Sequence, residues 1–200
     1  MCSKKLRNAN AYLVDAPVSG GPKGAKNGTL TVMMGGEDAH VKKVAVIVSK
    51  TFGKVVRHVG AVGAGHATKS VNNALNVTQL VMASGALLWL RKCYDVAPSK
   101  ALGVINNSSG RSLQTQVRIP DYVCTGKYGY GFKIGLMLKD VRIALNVVKG
   151  LSDEYFKATE EFLEDAVKRF GYDADYTEVV RVLEAEMGLT LRDDEAKASL

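Results

Sequence analysis

The sequence predicts a small α/β piece followed by an all-helical domain, with the boundary near residue 64. Three observations carry that expectation. Short β-branched apolar runs occupy the first 60 residues. A glycine-marked turn at Gly63-Ala64-Gly65 then opens an apolar pattern of helical spacing that lasts to about Tyr94. Beyond it only helical stretches recur. Two hundred residues are enough for one good core, or for one full domain plus part of another.

The elements follow in order. Residues 3–11 read as the end of a polar helix. Tyr12-Leu13-Val14 is a short run of strand type, ended by Asp15-Ala16-Pro17. Val18 to Gly24 is a loop too rich in glycine for regular structure. Thr29 to Met34 is β-branched and apolar, a strand closed by Gly35-Gly36. A helix is predicted from about Asp38 to Lys50, with Glu37 and Asp38 suited to its positive end. Lys54 to Val59 is a third strand. From His66 to about Tyr94, Val71, Leu75, Thr78, Val81, Met82, Leu87 and Leu88 keep helical spacing over on the order of 28 residues, or ~40 Å. That helix is apolar on more than one side, so it packs between other helices or against a second chain. Further helices are predicted around Ser99–Ile105, Phe132–Gly150, Asp153–Phe170 and Asp175–Met187. Asp153 and Asp175 suit their starts, and Gly171 and Gly188 their ends.

Composition excludes several classes. Hydrophobic content of 46% with 24% charge is ordinary for a soluble globular protein. No apolar run approaches the ~20 residues that span a bilayer, so no membrane partner is expected. The net charge of +7 and pI near 9.3 raise nucleic acid as a partner. The positive residues are scattered, however, and sit beside carboxylates in Lys139-Asp140 and Arg192-Asp193-Asp194. A basic surface that attracts anionic substrates or dinucleotides accounts for the charge, and nucleic-acid recognition is not expected. Cys2, Cys93 and Cys124 are far apart without a CxxC, which points to free thiols in a reducing compartment and to no metal site. The basic N-terminus lacks a secretory core. A cytoplasmic location is expected, with a mitochondrial one as the alternative.

Two glycine signals fail as motifs. In Gly63-Ala64-Gly65-His66-Ala67-Thr68, Thr68 stands where a dinucleotide fingerprint has its third glycine. The same Thr68 replaces the glycine that precedes the lysine of a P-loop. What remains is Lys69 with Asn73, four residues apart on one side of the long helix. One is a cation that can donate a proton, the other an amide that can hold a hydroxyl or carboxylate. Ser19-Gly20-Gly21 is the other candidate: successive backbone N–H groups and a hydroxyl, unobstructed by side chains, can receive a carboxylate. Taken alone, that tripeptide is a tight turn and Lys69 a solvated helix lysine.

Asp15 to Gly21, Gly28-Thr29-Leu30-Thr31 through Gly35-Gly36, Gly63 to Asn73, and Lys139-Asp140 together resemble the β-hydroxyacid dehydrogenase family. That family includes 3-hydroxyisobutyrate dehydrogenase, tartronate semialdehyde reductase and 6-phosphogluconate dehydrogenase. The four blocks agree in order and spacing, and the resemblance runs from about residue 4 to about residue 187. Ser108-Ser109-Gly110-Arg111-Ser112 and Gly171-Tyr172-Asp173-Ala174-Asp175 resemble further family segments. Asn72-Asn73 after the lysine is closer to the small-acid dehydrogenases than to 6-phosphogluconate dehydrogenase.

The resemblance implies roles for individual residues. Lys69 would give or take the proton on the substrate oxygen, and Asn73 would orient the substrate. Ser19, Gly20 and Gly21 would hold its carboxylate. Lys139 would sit near an NAD or NADP cofactor, supported by Asp140. Residues 1–63 would then be the last strands of a Rossmann-type domain, and 64–200 a substrate and dimerisation domain. The sequence contains no GxGxxG, so the main cofactor site is expected outside it, upstream or on a separate Rossmann partner chain. The expected activity is hydride transfer between NAD(P) and a small 3-hydroxy acid or semialdehyde, in a homodimer, with the 200-residue chain inactive alone. The alternative is a non-catalytic truncated homologue serving as an oligomerisation module or as an anion- or nucleic-acid-binding one.

Overall fold

A computed structural model of the chain describes Leu6, residues 11–147, residues 153–193 and Glu195. Most of the helix expected over 3–11 lies outside these residues, as does the predicted helix end at 148–150. Contacts group the chain into two compact units, Met1–Asn72 and Asn73–Leu200.

The first unit holds a three-stranded sheet of order β1-β2-β3, with β1 Val18–Ser19, β2 Leu30–Gly35 and β3 Gly53–Gly60. Strand β1 pairs antiparallel with β2 through Val18↔Val32 and Ser19↔Thr31. Strands β2 and β3 are parallel, joined by helix α2, Asp38–Thr51, as a βαβ unit. Helix α1, Gly21–Lys26, lies between β1 and β2. Val32 and Met34 of β2 meet Val41 and Val48 of α2, and these four form the buried core of this unit.

Two expectations here are corrected. Tyr12 to Val14 form no strand. Asp15 bridges Gly35, the last residue of β2, so in antiparallel register the residues before Asp15 face a chain that has already turned away. Tyr12 instead stacks its ring on His40, with centroids 3.6 Å apart. The second correction concerns Val18 to Gly24, which is strand β1, a tight turn and helix α1. Gly20 and Gly21 supply the positive φ values of 135° and 62° that the reversal requires, and Pro22 suits the first helical turn.

Helix α3, Ala64–Tyr94, is continuous over 31 residues, and the division between the two units falls within it. The second unit contains α4 (Pro98–Ile105), a π-helix (Gln114–Val123), α5 (Ile134–Val147), α6 (Glu154–Phe170), a 3₁₀ turn (Tyr176–Val179) and α7 (Val180–Met187). Its buried side chains include Leu80, Leu87, Leu102, Ile119, Ile134, Leu163 and Tyr176. Asp175 caps the 3₁₀ turn, accepting from the Thr177 N–H at 3.0 Å, and its other oxygen accepts from Gly131 N–H at 2.6 Å. Gly188 ends α7 in the left-handed conformation, as the sequence predicts. The π-helix has no counterpart among the predicted elements. It carries Pro120 inside it, and a proline in a polar stretch reads as a breaker.

Candidate active site

The start of α3 is built around Asp15. No Ser, Thr, Asp or Asn precedes Ala64 closely enough in sequence to cap that helix. The cap comes from the far end of the unit instead. The buried carboxylate of Asp15 accepts hydrogen bonds from the N–H of Gly63 at 2.6 Å and of His66 at 2.9 Å. Nδ1 of His66 lies 3.1 Å from the same carboxylate, so that nitrogen carries the proton. Burial alone would raise the Asp15 carboxyl. The hydrogen bonds from Gly63 and His66 outweigh it and hold the group below its ordinary 3.8.

This arrangement gives the glycines their physical reason. A Cβ on Gly65 would stand 2.4 Å from the Met33 carbonyl oxygen and 2.7 Å from Asp15 Oδ2. A Cβ on Gly35 would stand 2.4 Å from Asp15 Oδ1 and 2.7 Å from the Ala61 carbonyl oxygen. Both glycines therefore make room for the carboxylate and the closing backbone. His66 is a capping-site residue with an exposed ring, as its place in the loop-to-helix turn suggests.

Lys69 lies in the second turn of α3 and is partly buried. Asn73, one turn further, is buried, and its Nδ2 donates to Asp140 Oδ2 at 2.6 Å. A carboxylate only accepts, so this bond fixes which end of the amide faces Asp140. It leaves the second amide hydrogen and Oδ1 to be directed elsewhere. Asp140 Oδ1 pairs with the exposed Lys139 ammonium at 2.9 Å. In residues 73–200 the structure thus links Asn73, Asp140 and Lys139 in one chain of contacts. Asp140 acts through its neighbours, since each of its oxygens already has a partner.

In the first unit Ser19 is the last residue of β1 and half-buried, Gly20 is exposed, and Gly21 opens α1. A Cβ on Gly20 would meet Leu30 Cδ2 at 2.9 Å, so the turn stays bare of side chains at that position. Sequence reasoning gave Asp15 no role and did not join Asn73 to Asp140. The signal for Asp15 was available: a long helix whose own first residues hold no cap must borrow one.

Two of the three cysteines lie among the described residues. Cys124 is fully buried, and burial, with Asp193 and Glu184 nearby, pushes its thiol up to about 12. Cys93 is exposed. Among the described residues no group of three His, Cys, Asp or Glu side chains could hold a metal ion. No described helix is long and apolar enough to cross a membrane.

Residues 63–183 match the family described as NAD-binding of NADP-dependent 3-hydroxyisobutyrate dehydrogenase. Residues 1–60 match the NAD binding domain of 6-phosphogluconate dehydrogenase. The chain belongs to the β-hydroxyacid dehydrogenase family of NAD(P)-dependent oxidoreductases. Among its relatives, 2-(hydroxymethyl)glutarate dehydrogenase of Eubacterium barkeri is 40% identical over 136 residues, 68% of this chain and 44% of that protein. Mitochondrial 3-hydroxyisobutyrate dehydrogenase of Drosophila melanogaster is 34% identical over 72% of this chain and 46% of its own length. The chain therefore spans about half the length of these curated relatives. The solved structure of Mycobacterium tuberculosis 3-hydroxyisobutyrate dehydrogenase with L-serine superposes with a TM-score of 0.76 at 26% identity, covering 85% of this chain and 60% of that one.

Proposed function

We propose that the chain carries the proton-transfer and substrate-orienting groups of a dehydrogenase acting on a small 3-hydroxy acid or its semialdehyde. The observation that carries this reading is the buried Asn73–Asp140 hydrogen bond, one turn beyond Lys69 on an unbroken helix. In the reducing direction the Lys69 ammonium gives its proton to the carbonyl oxygen as the carbon is reduced. In the oxidising direction the neutral amine takes the proton from the hydroxyl. Asn73, its amide fixed by Asp140, orients that oxygen. The bare turn at Ser19-Gly20-Gly21 receives the substrate carboxylate through backbone N–H groups and the hydroxyl.

NAD or NADP supplies or accepts the hydride in this family. The exposed ammonium of Lys139, steadied by Asp140, fits an edge of such a dinucleotide. No GxGxxG cradle for its pyrophosphate exists within these 200 residues. The 200-residue chain by itself is therefore expected to bind NAD(P)H only weakly and to show negligible turnover. Micromolar binding in a fluorescence titration would contradict that. Joined in frame to the dinucleotide-binding half of the Mycobacterium tuberculosis relative, the chain is expected to oxidise a small 3-hydroxy acid. Lys69→Met should then lower kcat by about 10²-fold or more while leaving KM nearly unchanged. A folded fusion that turns over no hydroxy acid overturns the reading.

One observation favours a second reading as an anion-binding module. Residues 1–72 hold eleven Lys and Arg against three Asp and Glu, so the net positive charge falls in this segment because acids are scarce there, although the basic residues themselves are spread along the chain. Of those three acids, Asp15 is buried and Asp38 is paired with Lys42. Tight, salt-sensitive binding of a random-sequence oligonucleotide would support this second reading.

A further inference from the structure

We propose that Arg118, on the π-helix, is a carboxylate-binding residue of the 73–200 unit and takes the distal carboxylate of a dicarboxylic hydroxy acid. The inference rests on the hydroxy-acid reading above for the identity of the ligand, and on the following geometry for the site.

The Arg118 guanidinium carbon lies 3.8 Å from the centre of the Tyr130 ring, a cation held against an aromatic face. Its charge also works against the burial that pushes the hydroxyl of Tyr176, a fully buried side chain, up to about 12. Tyr176 in turn reaches Asn76 Oδ1 at 3.5 Å, and Gln114 Nε2 donates to that same oxygen at 2.9 Å. Asn76 follows Asn73 by three residues on α3, so this cluster lies within about one helical turn of the residue assigned to orient the substrate.

Two polar atoms in the cluster are buried without a hydrogen-bond partner: the Arg118 Nε donor and the Gln114 Oε1 acceptor. Gln114 is 1% exposed, and the two residues stand four apart on the same helix. Among the described residues no carboxylate pairs with Arg118. A partly buried cation with no counter-ion among the described residues is costly, as is a buried donor left unmade. Water on either orphaned atom would not neutralise the charge. A ligand carboxylate on Arg118 neutralises it, and a guanidinium presents the planar fork that a carboxylate matches. The edge-to-face rings of Tyr122, Tyr130 and Tyr176, 5.7 and 5.5 Å apart in sequence of contact, give that carboxylate an apolar wall for its carbon chain.

The test is a titration of the ¹⁵N-labelled 200-residue chain with glutarate, valerate and inorganic phosphate, following arginine Nε–H signals. Arg118→Lys identifies the Arg118 signal by its loss, and circular dichroism shows that this variant is folded. Glutarate is expected to move the Arg118 signal and to bind about tenfold more tightly than valerate, a preference that Arg118→Lys loses. Equal affinity for the two acids, or an unmoved Arg118 signal, overturns the proposal. Phosphate binding as tightly as glutarate overturns the assignment to a carboxylate. None of these readings requires turnover. A glutarate response in a chain whose fusion is inactive leaves this proposal standing and the dehydrogenase reading fallen. An active fusion indifferent to a second carboxylate does the reverse.

Discussion

Asp15 shows how one side chain can decide the start of a long helix. Its carboxylate replaces the local cap that α3 lacks and sits where the helix N-terminus favours negative charge. Because its pKa is lowered in the folded state, its contribution is complete above the ordinary value of 3.8. It declines as pH falls below that value and is gone once pH passes the folded value. Both Asp15 oxygens accept, so Asp15→Asn turns an amide NH2 toward one of these donors and should cost about 1–2 kcal/mol near neutrality. Urea midpoints measured from pH 7 down to pH 2 should show the two proteins converging below about pH 4. A constant gap across that range would mean the carboxylate charge is not what stabilises the helix start. Legibility at this scale was uneven. Lys69 and Asn73 could be read because their spacing alone places them on one helical side. Asp15 could not be assigned, because its partners stand 48 and 51 residues away and nothing in the local sequence announces them.

At the scale of elements, the longer segments were legible where periodicity and chemistry agreed. Strand β2, helix α2 and helix α3 fall close to their predicted spans, since β-branched runs and 3.6-residue spacing act locally. The Val18–Gly24 segment was misread because glycine content was allowed to outweigh position: two positive-φ glycines make one sharp reversal and leave strand and helix on either side. The π-helix was invisible because Pro120 reads as a terminator, whereas the Thr115 carbonyl that its missing N–H leaves open accepts from Asn106 Nδ2 at 3.1 Å. Helix α3 offers a direct test of what its glycines do. Gly65→Ala forces a methyl to 2.4 Å from a backbone carbonyl that cannot swing away, and should destabilise by about 2–3 kcal/mol. Gly85→Ala, in the same helix, places its methyl 3.9 Å from Leu183 Cδ1, an ordinary contact, and gains helix propensity. It should stabilise by about 0.5–1 kcal/mol. Chemical unfolding of both variants separates a glycine kept for space from one that is dispensable.

For the molecule as a whole, the order of a small sheet unit followed by helices was readable because the character of the chain changes at one glycine-marked turn. What covers the outside of α3 is a question of surface. Leu75, Met82 and Trp89 are 49%, 64% and 63% exposed. They recur every seven residues, nearly two full turns, so they return to one stripe of the helix. Scattered exposed apolar side chains need no explanation, but three large ones aligned on one helix favour burial against another surface. A second copy of the chain is the occupant we propose, with the stripe meeting its own counterpart about a two-fold axis. Light scattering at high micromolar concentration should give the mass of a dimer. The double variant Met82→Glu and Trp89→Glu should give a monomer, because four like charges would then face one another across the stripe. Both side chains are exposed in the single chain, so the variant's monomeric fold should keep its circular dichroism. A wild-type chain that stays monomeric at that concentration, or a double variant that still dimerises, would show that α3 is covered in some other way.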